Sequence, residues 1–293
     1  MILINKNLLI TLFLSISFIG RSQNSEMALS KKELRKERAT FLGISGGLSS
    51  SRFRDFATSP LVYKGNEFYA ALARFKADST RESEMGLSTL YGSYYTNFNN
   101  HFASSNVHTL SVFYSQLYQL KFLSSKRFNY KLGGLFNTTG NLRDNEILMN
   151  NGFGFEVFPT LFGSAKITIN LNLTAVIEKK LLFIKYKLKP VNRNLAFRLN
   201  TGILNSTFRN KFIYTGHFIA TDLGFFDRYE YKFLSGFRFN FSIDYTVFLK
   251  NKNAVKLSYL WDAYRTGGNL DKFEMAHHII KLSLLFNTNN KPL

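Results

Sequence analysis

Ala276-His277-His278-Ile279-Ile280-Lys281-Leu282-Ser283-Leu284-Leu285-Phe286 alternates in character. Ile280, Leu282, Leu284 and Phe286 fall on one side, and His277, Lys281 and Ser283 on the other. Successive side chains of a strand point to opposite faces, so the segment is a strand with one oily and one wet face. Two architectures place such strands: a soluble sandwich, which packs the oily face inside, and a barrel in lipid, which turns it outward.

The same pattern recurs through the chain. Ser164 to Ile177 sets Ile167, Ile169, Leu171, Leu173 and Ala175 against Lys166, Thr168, Asn170, Asn172 and Thr174. Tyr231 to Leu249 sets Phe237, Phe239, Phe241, Ile243, Tyr245 and Val247 against Arg238, Asn240, Ser242, Asp244 and Thr246. Asn106 to Phe122 exceeds the usual soluble strand and suits a tilted membrane-spanning one with an extension. In order, the expected strands begin at Phe41, Glu67, Glu84, Asn106, Arg127, Gly152, Ser164, Lys180, Asn194, Tyr231, Ala254 and Ala276. That makes about twelve. Ser51 to Asn66 is read as a polar connection, Ala77 to Ser83 and Pro159 to Gly163 as turns, Thr139 to Asn151 as a loop, and Gly202 to Glu230 as the longest irregular stretch.

Composition agrees with long paired strands. The 293 residues include 31 Phe and 15 Tyr but only 4 Pro, the residue that cannot donate to a ladder. There is no Cys, which excludes disulfides, thiolate metal sites and a lipidated N-terminal cysteine. Lys6 followed by the apolar run Leu8 to Ile19, with Gly20 and Ser22 before Gln23, reads as a signal peptide over 1–22. Its removal takes Lys6 and Arg21 and lowers the formal charge from +19 to +17. Export argues against nucleic acid as the partner of this basic chain and for an anionic membrane surface or anionic solute. An exported chain that spans lipid on strands must close them into a barrel, because an open edge leaves backbone groups unsatisfied.

The expected organisation is a signal peptide at 1–22, a periplasmic extension at 23–40, the barrel at 41–286 and a tail at 287–293. The extension carries Ser30 and Glu33 in a capping-box spacing that suits a short helix. The expected fold is all-β, a transmembrane antiparallel barrel with short periplasmic turns and longer extracellular loops.

The chain resembles Bacteroidota-type outer-membrane β-barrel proteins. The resemblance rests on Gln23 after the cleavage site, on Tyr259-Leu260-Trp261-Asp262-Ala263-Tyr264, and on the terminal strand ending at Phe286, followed by seven further residues. It implies residence in the outer membrane of a Gram-negative cell, with outer-membrane lipid and the barrel assembly machinery as partners. It implies no particular activity.

The search for chemistry is mostly negative. Outer-membrane phospholipases place a Ser two residues after a His; His108 is followed there by Leu110, while Ser111 lies on the opposite face. His277 and His278 point to opposite faces of a strand and so cannot share one metal ion, and they are read as rim residues. No P-loop, dinucleotide fingerprint or metalloprotease motif appears. The chain is read as a non-enzyme with no cofactor and no metal.

The lumen face is the candidate site. Lys131, Lys166, Lys185, Lys187, Lys189, Arg198, Arg238, Lys256 and Lys281 fall there with Glu156, Asp244 and Asp262. A basic excess favours small anions. Two readings follow: a narrow porin-like channel or binding barrel for a small anionic solute, or a non-conducting scaffold whose basic groups are paired and whose loops dock a partner. On these faces Phe239→Arg is expected to hinder insertion and Arg238→Ala to be far milder.

Overall fold

A computed structural model describes residues 38–98, 101–145, 153–172, 177–181, 184–188, 190–210, 229–268 and 271–289. The expected signal peptide, the capping-box helix and the far C-terminus lie outside the described residues.

Alternating sequence becomes long strands. They are β1 (Ala39–Asp55), β2 (Ser59–Ala77), β3 (Arg81–Phe98), β4 (His101–Gln119), β5 (Phe128–Asp144), β6 (Phe153–Asn170), β7 (Ile177–Leu181), β8 (Ile184–Leu188), β9 (Arg193–Asn205), β10 (Thr207–Asn210), β11 (Tyr229–Lys232), β12 (Phe237–Phe248), β13 (Ala254–Arg265) and β14 (Phe273–Asn287). Each wall strand pairs antiparallel with its neighbours in the order β1-β2-β3-β4-β5-β6-β9-β12-β13-β14. β14 returns to β1, with Phe41 opposite Asn287 and Leu48 opposite Ile280. The sheet therefore closes on itself.

Ten strands make this wall, where the sequence reading expected about twelve. Two segments account for the difference. The Pro159–Gly163 turn does not form; β6 runs straight through it, merging two expected strands into one. The Pro159 carbonyl accepts from Ser206 N at 3.0 Å. The missing proline N–H thus lies on the edge where the neighbour of β6 changes from β9 to β10, so no ladder bond is lost. The second segment, Lys180 to Pro190, contributes β8, which pairs only with β7 in a separate two-stranded sheet.

A row of cross-strand partners followed round the wall shows how the barrel is sheared. It starts at Phe155 on β6, passes Leu142, His108, Tyr91, Phe68, Leu48, Ile280, Tyr259, Ile243 and Phe197, and comes back to β6 at Ile167. Strands that close with such a stagger must tilt against the barrel axis.

The outer surface is apolar where a soluble protein would be polar. Leu42, Ile44, Leu48, Phe68, Leu72, Leu110, Val112, Leu257, Ile280, Leu282 and Leu284 are exposed on it. A belt of this extent in water would be an aggregation site; in lipid it is the matching surface. Tyr91, Tyr95, Tyr114 and Tyr118 stand exposed along β3 and β4, as interfacial aromatics do. The chain is a closed transmembrane β-barrel.

Several segments read as polar loops are wall. β1 continues to Asp55 and β2 starts at Ser59, where Ser51 to Asn66 was expected to be a connection. β3 and β4 run to within two residues of one another, and β5 extends to Asp144. The outward Ser50, Arg52, Lys64, Asn66 and Asn106 are exposed there. Polar outer residues in these stretches mark a wall that continues beyond the lipid belt, which composition alone cannot separate from loop. Of the expected loop Gly202 to Glu230, residues up to 205 belong to β9 and four more form β10, while 211–228 lie outside the described residues.

Tight connections have local causes. At the end where β1 begins and β14 finishes (the termini end), Asp78 Oδ1 accepts from Thr80 N and Arg81 N, each at 2.6 Å, and Arg38 Nε lies 2.8 Å from Asp78 Oδ2. Burial raises the Asp78 pKa, but these bonds and the Arg38 charge outweigh it and hold the carboxyl below its ordinary value of 3.8. At the opposite, far end Gly236 has φ 82°. A Cβ there would lie 2.0 Å from the Arg265 carbonyl, so the turn entering β12 requires glycine.

Candidate functional site: a lumen closed at one end

The inward residues of the wall divide the lumen into two halves. The far half holds a buried, largely aromatic plug. Phe53, Tyr63, Tyr94, Val107, Phe158, Tyr264, Phe273 and Met275 form one buried cluster. Their strands bring them together because aromatic residues occupy inward positions on β1, β2, β3, β6, β13 and β14. Phe53 stacks on Tyr63 with ring centroids 4.9 Å apart and meets the edge of Tyr94 at 5.0 Å.

Ion pairs tie this plug across the lumen. Arg143 on β5 donates to Asp55 Oδ2 on β1 at 2.6 Å, and it also donates to Glu156 on β6. Arg209 on β10 donates to Asp55 Oδ1 at 2.6 Å, so the hairpin extension reaches the same carboxylate. The Arg143 guanidinium lies over the Phe53 and Phe273 rings at 5.4 and 5.1 Å. Arg238 on β12 holds Asp262 Oδ2 at 2.6 Å and reaches Thr139 on β5 at 2.9 Å. Asn141 donates to the Tyr264 hydroxyl at 2.9 Å. These groups are buried, and each charge has an opposite charge in contact, which is the condition for keeping ions inside a protein.

His277 lies at the base of the plug. It is buried to 2 % exposure, and its Nδ1 sits 3.0 Å from Glu67 Oε2 and 2.9 Å from Ser51 Oγ. It is not a rim residue. Its neighbour His278 faces outward beside Tyr259 and Trp261, as strand alternation demands.

The half at the termini end is hollow. A cavity of about 750 Å³ runs from His277, Asp262 and Thr139 to the turn residues Asp78, Arg127, Asn192 and Lys250. Its wall combines amide and hydroxyl side chains, aromatic faces from Tyr69, Phe75 and Phe113, and charges. Lys131 lies 3.4 Å from Glu82 Oε2, while Lys166 holds the other oxygen of that carboxylate. Arg198 lies 3.5 Å from Glu84 Oε2. Lys281 donates to the Tyr69 hydroxyl at 3.2 Å, and Asp244 lies in the field of Lys256, Lys166 and Lys281. Neither Lys256 nor Lys281 has a carboxylate within 4.0 Å among the described residues, and the Lys256 ammonium stands 6.0 Å from the Phe75 ring.

Of the expected lumen residues, Lys131, Lys166, Arg198, Arg238, Lys256, Lys281, Glu156, Asp244 and Asp262 face inward. The cavity gathers Lys131, Lys166, Arg198, Lys256, Lys281, Asp244 and Asp262; Arg238 and Glu156 belong to the plug. Lys185 and Lys187 belong to β8, which pairs with β7 in a separate two-stranded sheet and is not a stave of the barrel. Lys189 lies outside the described residues. Sequence reasoning missed the inward carboxylates Asp55, Glu67, Glu82 and Glu84, together with Arg143 and Arg209. Asp55, Glu82, Arg143 and Arg209 sat in stretches read as connections. The signal that would have found them is continued alternation past the apolar belt, as in Ser51, Phe53 and Asp55 against Arg52 and Arg54.

No protein-family model matches the sequence, and no curated protein matches it. Among solved structures the chain is similar to the outer membrane protease OmpT from Escherichia coli, at 9% identity and TM-score 0.49, covering 85% of this chain and 95% of that one. It is also similar to the transport unit of the autotransporter AIDA-I from Escherichia coli, at 10% identity and TM-score 0.44, covering 95% and 96%. A third is a mutant of the monoaromatic hydrocarbon channel TodX, at 8% identity and TM-score 0.33, covering 85% and 90%. These are likenesses of architecture between barrels of different activities.

Proposed function

We propose that the chain is a non-conducting outer-membrane barrel whose lumen is a binding cup for a small anionic solute, reached from the end where β1 begins and β14 finishes. One observation carries this reading: the far half of the lumen is filled by buried, cross-tied side chains, while the other half is a cavity of about 750 Å³ with a basic excess. Among the described residues Lys256 and Lys281 have no carboxylate within 4.0 Å, and with Lys166 they outnumber the nearby Asp244, so an anion entering the cup meets net positive charge. The volume suits a small solute.

Reconstitution into planar bilayers, paired with calorimetric titration of citrate and inorganic phosphate, tests the two halves of the reading. The expected result is no steady conductance together with saturable anion binding. Steady ion conductance by the unmodified protein would overturn it. A scaffold that only docks a partner shares the closed lumen but leaves the cup without a ligand, so absence of anion binding would favour that alternative.

A further inference from the structure

Three polar atoms on or beside the cup wall have no hydrogen-bond partner although their residues are at least nine-tenths buried: Asn137 Oδ1, Arg198 Nη2 and His277 Nε2. All three residues line the cavity. A buried polar atom left unpaired has lost its water without regaining a partner, so such atoms in a cavity mark where a ligand is recognised.

His277 is held for this role. Glu67 Oε2 is a carboxylate oxygen and can only accept, so it places a hydrogen on Nδ1. Nε2 then presents either a lone pair or a second N–H. A hydroxyl group donates and accepts, and therefore matches both states. Asn137 Oδ1 asks for a donor and Arg198 Nη2 for an acceptor, which hydroxyl groups also provide. Around them the wall is rich in Ser, Thr and Asn, with the Phe75 and Tyr69 faces beside Lys256 and Lys281. A sugar ring has apolar C–H faces and a polar rim, and such a wall matches both.

We infer that the ligand of the cup is an acidic sugar, its carboxylate or phosphate toward Lys256 and Lys281 and its hydroxyl groups on His277 Nε2, Asn137 and Arg198. This rests on the anion-binding reading above and narrows it from charge alone to a polyhydroxylated anion.

The test is calorimetry on the full chain in detergent with D-glucuronate, D-glucose and acetate. D-glucuronate is expected to bind about tenfold more tightly than either single-feature probe, the scale of one net hydrogen bond or more. His277→Leu is expected to lower D-glucuronate affinity about tenfold and leave acetate unchanged. Heat-modifiable gel migration checks that the variant is a closed barrel; if it is not, Asn137→Leu takes its place with the same expectation. Equal binding of acetate and D-glucuronate would overturn the sugar assignment and leave the anion cup standing. Equal binding of D-glucose would remove the anionic requirement, and no binding of any acid would overturn both readings. Unchanged D-glucuronate affinity in the folded variant would also overturn it.

Discussion

Arg143 Nη2 and Asp55 Oδ2, 88 residues apart in sequence, meet at 2.6 Å across the lumen from β5 to β1. The contact joins strands that are not neighbours in the wall, so it closes space that an open pore would need. Glu156 and Arg209 complete the cluster. Removing this guanidinium leaves Asp55 with Arg209 alone and takes from the buried Glu156 the charge that neutralises it. Arg143→Ala is therefore expected to cost about 3–5 kcal/mol, read as a shift in the urea unfolding midpoint in detergent. A change under 1 kcal/mol would show that the cluster is solvated.

Arg238 changes its expected behaviour once the wall is drawn. On its alternation pattern alone it was read as a lumen charge whose loss would be mild. It is 2 % exposed, bound to Asp262 and Thr139, with its guanidinium 5.0 Å from the Tyr264 ring. Arg238→Ala is expected to destabilise by about 3 kcal/mol or more, because Asp262 loses its charge partner. Phe239 sits beside Trp261, itself stacked on the outward His278, which places it near the edge of the apolar belt. Phe239→Arg is therefore expected to cost only about 0–1 kcal/mol, with Arg238→Ala the larger of the two, reversing the sequence expectation. Side-by-side unfolding measures the order.

Leu282 is the better probe of the lipid face. It is 52 % exposed, in the middle of the outward run Ile280, Leu282, Leu284 and Phe286, and opposite Leu257 and Gly46. Leu282→Arg is expected to cost about 2–4 kcal/mol on folding into vesicles, as a charge near the bilayer midplane does. Equal tolerance of Leu282→Arg and Leu282→Ala would contradict the assigned face.

Asp78 gives the termini end a pH response. Its folded pKa is held below 3.8, so the stability it contributes is present above the ordinary carboxylate range and is lost as pH falls through the folded value. The unfolding midpoint of the wild type is expected to drop over that acid window, and Asp78→Asn is expected to show a smaller drop. An identical acid response in both would contradict the role of the turn.

The cup makes its own demand. Lys256→Met with Lys281→Met removes two ammonium groups that have no carboxylate within 4.0 Å among the described residues, so citrate affinity is expected to fall about tenfold or more, with heat-modifiable gel migration checking that the barrel is closed. Titration of the double variant reads the effect, and unchanged affinity would place the anion elsewhere.

Much of this architecture is written in alternation. The oily and wet faces of β4, β5, β12 and β14, and the closure of β14 on the strand at Phe41, are legible because a period of two survives any loop length. What alternation could not show is where a strand stops. Pro159 looked like a turn but sits where the ladder of β6 changes neighbour. Lys180 to Pro190 alternates as well as any stave but pairs only within its own hairpin. The site was half legible for the same reason. Lys256 and Lys281 stood out within clear strands, whereas Asp55, Arg143 and Glu82 lay in polar stretches beyond the lipid belt. The pairing of Arg143 with Asp55 and of Lys166 with Glu82 depends on which staves face one another across the lumen, and that follows from closure and shear rather than from any local pattern.

The central claim is that the lumen does not pass through. Purified protein in planar bilayers measures this directly, with Arg143→Ala and Arg238→Ala as comparison. The account predicts a silent baseline for the unmodified barrel and ion flow only when the cross-ties are cut. A steady, single-step conductance from the unmodified protein would contradict it.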